Sequence, residues 1–422
     1  MTPSLSRAAV AIVAALAVTV AGAAPARAAS PGHVTVLAPV SSPGYPALPH
    51  VVGDRIYEGT YDNPKGDSVA SRVFEYSLSG AQLQTFTVAG QDLSHPHGVQ
   101  VAANDALGRL LLLDKTSGRI IRLDPRTGEQ RLYSRVPDLP LCSASSSGTP
   151  CSPALLDQAP MPDYAAWGPD GALYVTDYQQ AVIWRVPPGG GEARIWLADR
   201  RLDGGPFGTA CITMMPDGRT LLFDQASNGG LGTLTPSTGK LYTVAIAPNG
   251  DPGPLHQLWE SGPGDAPDGC ALAQSGHIYV ALVGASNQVV ELSSTGQELA
   301  RFGQQYAGVN DSPVPFDSPS GVVFLGSQLL IANQSYFAGD PTNQVVLDLE
   351  TGESGQPVYV PARAGLAPAA AVPPPRNRTK PRHHRAKPRR HRAKHHRHHR
   401  RRPRPAGTAP ETAIIARGQT RG

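Results

Sequence analysis

A short pattern recurs six times along the chain, and this repeat constrains the fold more than any other feature. Each copy opens on Gly and runs into an apolar strand: GDRIYEG, GRLLLLD, GALYVTD, GRTLLFD, GHIYVAL and GSQLLIAN, starting at Gly53, Gly108, Gly171, Gly218, Gly276 and Gly326. The mean spacing is about 55 residues, near the upper end for repeats that each build one blade. A further short strand precedes each landmark: LPHVV, HGVQVA, DYAAWG, TACITM, DGCALA and SGVVFL. A hairpin follows each: FEYSLSGAQLQTF, IIRLDPRTGEQRLY, IWRVPPGGGEARIW, GTLTPSTGKLYTV, VVELSSTGQELARF and VVLDLETGESGQPVYV. Five of the six hairpins place Gly after Ser or Thr at the turn, where a positive φ carries no steric penalty for Gly. Four short strands cannot bury both faces alone, so the copies must pack on one another. Radial stacking of four-stranded sheets is a propeller. The sequence therefore predicts an all-β, six-bladed β-propeller with four-stranded blades over residues 49–362.

Composition supports this. The 422 residues include 45 Gly and 42 Pro, and only 17% are charged, which disfavours a helical bundle. The net charge of +4 is unevenly spread. Residues 29–375 hold 18 basic against 32 acidic residues, while residues 376–422 hold 17 basic residues and one acid. An acidic body argues against a nucleic-acid-binding fold there.

Residues 1–28 read as a cleaved signal peptide: Arg7, an apolar run over residues 8–24, then Ala26-Arg27-Ala28. Residues 29–48 form a lead segment, and residues 363–375 an Ala/Pro linker. The tail, 376–422, is predicted to be disordered, because residues 376–404 carry 15 Lys/Arg and seven His with no acid. Arg389, Arg390, Arg392, Arg400, Arg401 and Arg402 are its candidate polyanion contacts, with an anionic wall polymer or lipid surface as the partner. The tail has no aromatic residue for base stacking, so no specific nucleic-acid recognition is expected. The expected product is a secreted monomer, retained at the cell surface by this tail.

Export permits disulfides. Cys142 and Cys151 flank SASSSGTP, a small polar loop, and are predicted to bond. Cys211 and Cys270 lie in apolar runs, and whether they pair depends on geometry.

In a propeller the first strand of each blade lines the central channel. The residues opening those strands are His50, His97, Asp163, Thr209 or Ala210, Asp268 and Ser320. Carboxylates converging on a small cavity call for a cation. Oxygen ligands suit Ca²⁺, and an added His shifts the choice toward Zn²⁺. The candidate metal ligands are thus Asp163, Asp268, His97 and His50. Asp114, Asp177 and Asp224, at the ends of the landmark strands, read as turn caps, and Trp167 as packing.

The blade-five stretch APDGCALAQSGHIYVALVGASNQVVEL, with MMPDGRTLLFD and GPDGALYVTD, resembles the gluconolactonase/regucalcin (senescence marker protein) propellers, as does IAPNGDPGPLHQLWE their long hairpin insertion. The NHL-type and strictosidine-synthase-like propellers share the looser pattern. The resemblance implies a channel metal (Ca²⁺ first, Zn²⁺ or Mn²⁺ as alternatives) and lactone or ester hydrolysis. On it, Asp268 matches the family Asp and is the candidate catalytic base. Asp163 stands where the family has Asn, Ala210 at a second Asn, and LPHVVG replaces the Glu-x-Pro-x-Trp motif. The alternative is a non-catalytic propeller that binds a ligand or a surface.

Overall fold

The computed structural model describes residues 30–367, except 65, 67, 116, 206 and 229–237. All of them lie in the first of the chain's two compact units, Met1–Ala369. The predicted signal peptide and the six tail arginines lie outside the described residues. The fold is all-β and propeller-like. Helix among the described residues is confined to two single turns, Cys142–Ala144 and Arg200–Leu202. No described helix is long and apolar enough to cross a membrane.

Four separate sheets have four strands each, and a fifth has nine. The nine-stranded sheet contains two consecutive four-strand meanders, joined by the single pairing of Thr60 with Val99 and extended by Gly191–Glu192. Six meanders therefore follow one another among the described residues. Their inner strands are Pro46–Val52, Val99–Asn104, Pro162–Trp167, Ile212–Met214, Pro267–Leu272 and Pro319–Leu325. Their second strands are Arg55–Thr60, Leu110–Asp114, Leu173–Asp177, Thr220–Gln225, Ile278–Leu282 and Gln328–Asn333.

Burial explains the strand sequences. Second strands such as LLLLD, LYVTD and IYVAL are buried on both faces, so they read as continuous apolar runs. Fourth strands such as QLQTFT and EQRLYSR stand at the rim and are mostly exposed. Six apolar clusters fill the gaps between successive meanders. One joins Leu112 and Leu110 to Tyr57 and Val73, and another joins Ile331 and Leu347 to Tyr279 and Ala281. The sixth packs Leu330 and Val346 against Ile56, Phe74 and Tyr76, joining the last meander to the first. Each buried Leu or Ile contributes roughly 1.5–3 kcal/mol, so these layers carry most of the cohesion.

Two hairpins differ from expectation. In the fourth meander Lys240–Ala245 is the third strand and His256–Glu260 the fourth, so the fourth strand does not come from GTLTPSTGKLYTV, of which residues 232–237 lie outside the described residues. IAPNGDPGPLHQLWE makes that last connection instead, bridged between Ile246 and Pro252. In the sixth meander the outer strand is Val34–Pro39, from the lead segment, paired antiparallel with Val345–Glu350. The lead segment thereby joins the last meander to the first. The predicted outer strand QPVYV instead crosses one end of the channel. There Gln356 N–H donates to Leu272 O at 2.7 Å, Tyr359 packs between the central meanders, and Ala106 N–H donates to Ala364 O at 3.0 Å.

Both cysteine pairs are bonded, Cys142 to Cys151 and Cys211 to Cys270. The second pair, with Cα atoms 5.7 Å apart, ties the inner strands of the fourth and fifth meanders together beside the channel.

Candidate functional site

The inner strands are irregular near their starts. The pairing register shifts between Pro46 and Pro49, Pro162 and Ala165, Pro267 and Cys270, and Pro319 and Val322. Buried groups on neighbouring second strands hold these irregular turns. Glu58 accepts the N–H groups of Ala47 and Leu48, both at 2.8 Å. Thr176 Oγ1 accepts Tyr164 N–H at 3.0 Å and donates to Ala210 O at 2.6 Å. Asp224 accepts Ala210 N–H at 2.7 Å. The turns set one equivalent residue per meander at the channel mouth: Ala47, Gln100, Asp163, Ala210, Asp268 and Ser320.

A second ring comes from the residue after each second strand: Tyr61, Lys115, Tyr178, Ala226, Val283 and Gln334. In every meander its N–H donates to the carbonyl that precedes the inner strand. The acceptors are Tyr45, Gly98, Met161, Gly208, Ala266 and Ser318, at 2.6–3.2 Å. Eight of these twelve residues, all but Ala47, Ala210, Lys115 and Ala226, line a cavity of about 410 Å³.

Lys115 governs the electrostatics here. It is 1% exposed, and its ammonium forms an ion pair with Asp163. It also donates to Gln100 Oε1 at 3.1 Å and lies 4.2 Å from the centre of the Tyr61 ring. Burial pushes its pKa down, opposed by the charges of Asp268, Asp62 and Asp177. Burial pushes the Asp268 carboxyl up to about 6, opposed by Lys115 and by the adjacent Tyr164 hydroxyl. Burial also holds Tyr61, Tyr164 and Tyr178 protonated, well above their ordinary range.

Of the four predicted metal ligands, the structure brings Asp163 and Asp268 to one cavity. It does not bring the histidines there. His50 lies at the opposite end of the channel, bonded to Asn104 Oδ1 at 3.0 Å. Both ring nitrogens of His97 face backbone carbonyls, His95 O at 2.8 Å and Val69 O at 2.7 Å. The reason is register: the inner strands begin at Pro46 and Val99, so Ala47 and Gln100 take the ring positions. The residue set does not fit a divalent metal at the mouth. Four of the six ring positions are Ala, Gln or Ser, and the place beside Asp163 is taken by an ammonium. Lys115 escapes notice in the sequence because Asp-Lys-Thr-Ser-Gly reads as an ordinary turn. A metal-competent group does exist among the described residues, at His277, Glu291 and Glu353, whose ligand atoms lie within 4.8 Å of one another. His277 Nδ1 is 2.8 Å from Glu291, and Tyr279 OH donates to Glu353 at 2.6 Å.

No family model and no curated protein matches this chain. Solved structures do. A regucalcin from Agrobacterium tumefaciens strain C58, described as calcium-binding, is 16% identical over 75% of this chain and 92% of its own, with a TM-score of 0.49. A gluconolactonase from Xanthomonas campestris is 17% identical over 77% and 99%, at 0.44. The neighbours thus include the group named by the sequence resemblance. A virginiamycin B lyase from Staphylococcus aureus is 16% identical over 71% and 80%, also at 0.44. Similarities this distant carry no chemistry across, so function must be argued from the residues of this chain.

Proposed function

We propose that the chain is a six-bladed propeller whose channel mouth binds a small organic molecule without a divalent metal. The repeated backbone bond in all six meanders supports six blades. The observation that carries the metal-free reading is the buried Lys115–Asp163 pair inside the ring. An internal ammonium already occupies the place beside Asp163 that a metal ion would need. Calorimetric titration with Ca²⁺, Zn²⁺ and Mn²⁺ tests this in a His277→Ala background, which removes the outlying triad. No binding is the expected result. Binding that Asp268→Asn abolishes would overturn the reading.

A second reading, lactone or ester hydrolysis, is favoured by the raised carboxyl of Asp268 on the cavity wall. In it Asp268 takes a proton from water as the water oxygen bonds to the carbonyl carbon. The C–O bond to the leaving alkoxide then breaks, and that oxygen recovers the proton. Turnover of simple lactones and aryl esters should vanish in Asp268→Asn, and turnover that survives the substitution would exclude this route.

We also infer export, from the N-terminal apolar run, and surface retention through the basic tail. Deleting residues 376–422 should release the protein from the cell surface, as should high salt. Retention that resists both treatments would contradict the tail's role.

A further inference from the structure

The cavity at the channel mouth has an unusual balance of groups. Five of its fifteen lining residues are aromatic: Tyr61, Tyr178, Phe207, Tyr336 and Phe337. Tyr61 and Tyr336 meet edge to face with centres 5.8 Å apart, and Tyr336 and Phe337 do the same at 5.3 Å. The carboxylates Asp62, Asp163 and Asp268 share this wall, and no Arg, Lys or His is among the described residues lining it. Among the described residues, Lys115 lies beneath the surface, paired with Asp163 and feeling the charge of Asp268. Asp268 by contrast is partly exposed on the wall. The accessible surface of the cavity is therefore acidic and rich in π-faces.

Lys115 also shows what these groups accept. Its ammonium is held by a carboxylate, by an amide oxygen, and by the face of Tyr61, with the Tyr178 ring centre 5.8 Å away. The open part of the cavity offers the same three kinds of partner again: Asp268, Gln334 and the rings of Tyr178 and Tyr336. Aromatic faces attract desolvated cations, and a carboxylate adds direct charge pairing. An anionic ligand would meet Asp163 and Asp268 with no Arg, Lys or His among the described lining residues to pair with it.

We propose that the channel mouth selects an organic ammonium ligand, with Asp268 as its charge partner and Tyr178 and Tyr336 as its walls. This rests on the metal-free pocket proposed above and names the chemical class of its occupant. The test uses the full chain and two probes of the same shape, choline and its neutral isostere 3,3-dimethylbutan-1-ol. Binding is followed by calorimetry or by ligand-observed NMR. Choline should bind roughly tenfold or more tightly than the isostere, which is the scale of one cation–π or charge contact. Asp268→Asn should remove most of that selectivity, Asp268→Glu should retain it, and Tyr336→Ala should weaken choline several-fold. Thermal melting of each variant confirms that it folds. Equal binding of the two probes, undiminished selectivity in Asp268→Asn, or no choline binding at millimolar concentration would each overturn the ammonium assignment. Preferential binding of a neutral sugar would overturn it as well. The metal titration is a separate readout, so failure of the metal-free reading is distinguishable from failure of this one.

Discussion

Lys115 is the residue on which the site turns. Breaking a buried ion pair by removing one partner typically costs about 3–5 kcal/mol, because the other charge is left without compensation. Lys115→Met should therefore lower stability by about that amount in urea denaturation. Adding Asp163→Asn should recover a large part of the loss, and a simple sum of two losses would refute the pairing. Glu58 makes a second residue-scale prediction. It is fully buried, and burial pushes its carboxyl up to about 8 despite N–H donors from Ala47, Leu48 and Gly59. A carboxyl raised in the folded state holds a proton that the unfolded chain releases near its ordinary 4.5. Its contribution is thus most favourable below that pH and declines as pH rises toward about 8. Glu58→Gln should flatten the fall in stability over this window, relative to the parent chain. Matching slopes in the two proteins would show that Glu58 does not titrate there.

Strand register separates what could be read in the sequence from what could not. Asp163 and Asp268 were legible because each follows a Pro that opens an irregular inner strand. Both also sit eight residues before their landmark Gly. The same offset from Gly108 lands on Gln100, three residues after the His97 of HPHG. His50 was misplaced because regular pairing resumes at Pro49, which leaves His50 three residues beyond the ring position Ala47. The outer strand Val34–Pro39 lacked any landmark, and its partner lies at the other end of the fold. Residues 356–360, QPVYV, mimicked a hairpin arm, while the contacts of the segment around them are spread across several meanders. That crossing segment supports a prediction at this scale. Ending the chain after Gly352 should expose the apolar wall around Leu48, Trp167, Met214 and Phe324. Increased binding of a hydrophobic dye and a lower melting temperature should follow. An unchanged melting curve would mean that the segment adds nothing to the core.

Across the described residues the layers run from meander to meander, and the first described strand joins the last meander to the first. The cluster between the last meander and the first unites residues from both ends of the fold, including Ala38, Val40, Ile56 and Val346. The Cys211–Cys270 bond adds a covalent tie between two neighbouring meanders beside the mouth. Such an arrangement holds Lys115, Asp163 and Asp268 in place from three separate meanders, because each inner strand is fixed by the layers on either side. Closure at the far end has a further consequence. Gln356, Pro357, Val358 and Tyr359 lie across the channel where the inner strands finish. The passage is a blind alley, so whatever occupies the mouth must depart by the route it came. A molecule held at the mouth, as proposed above, would block its own successor until it left.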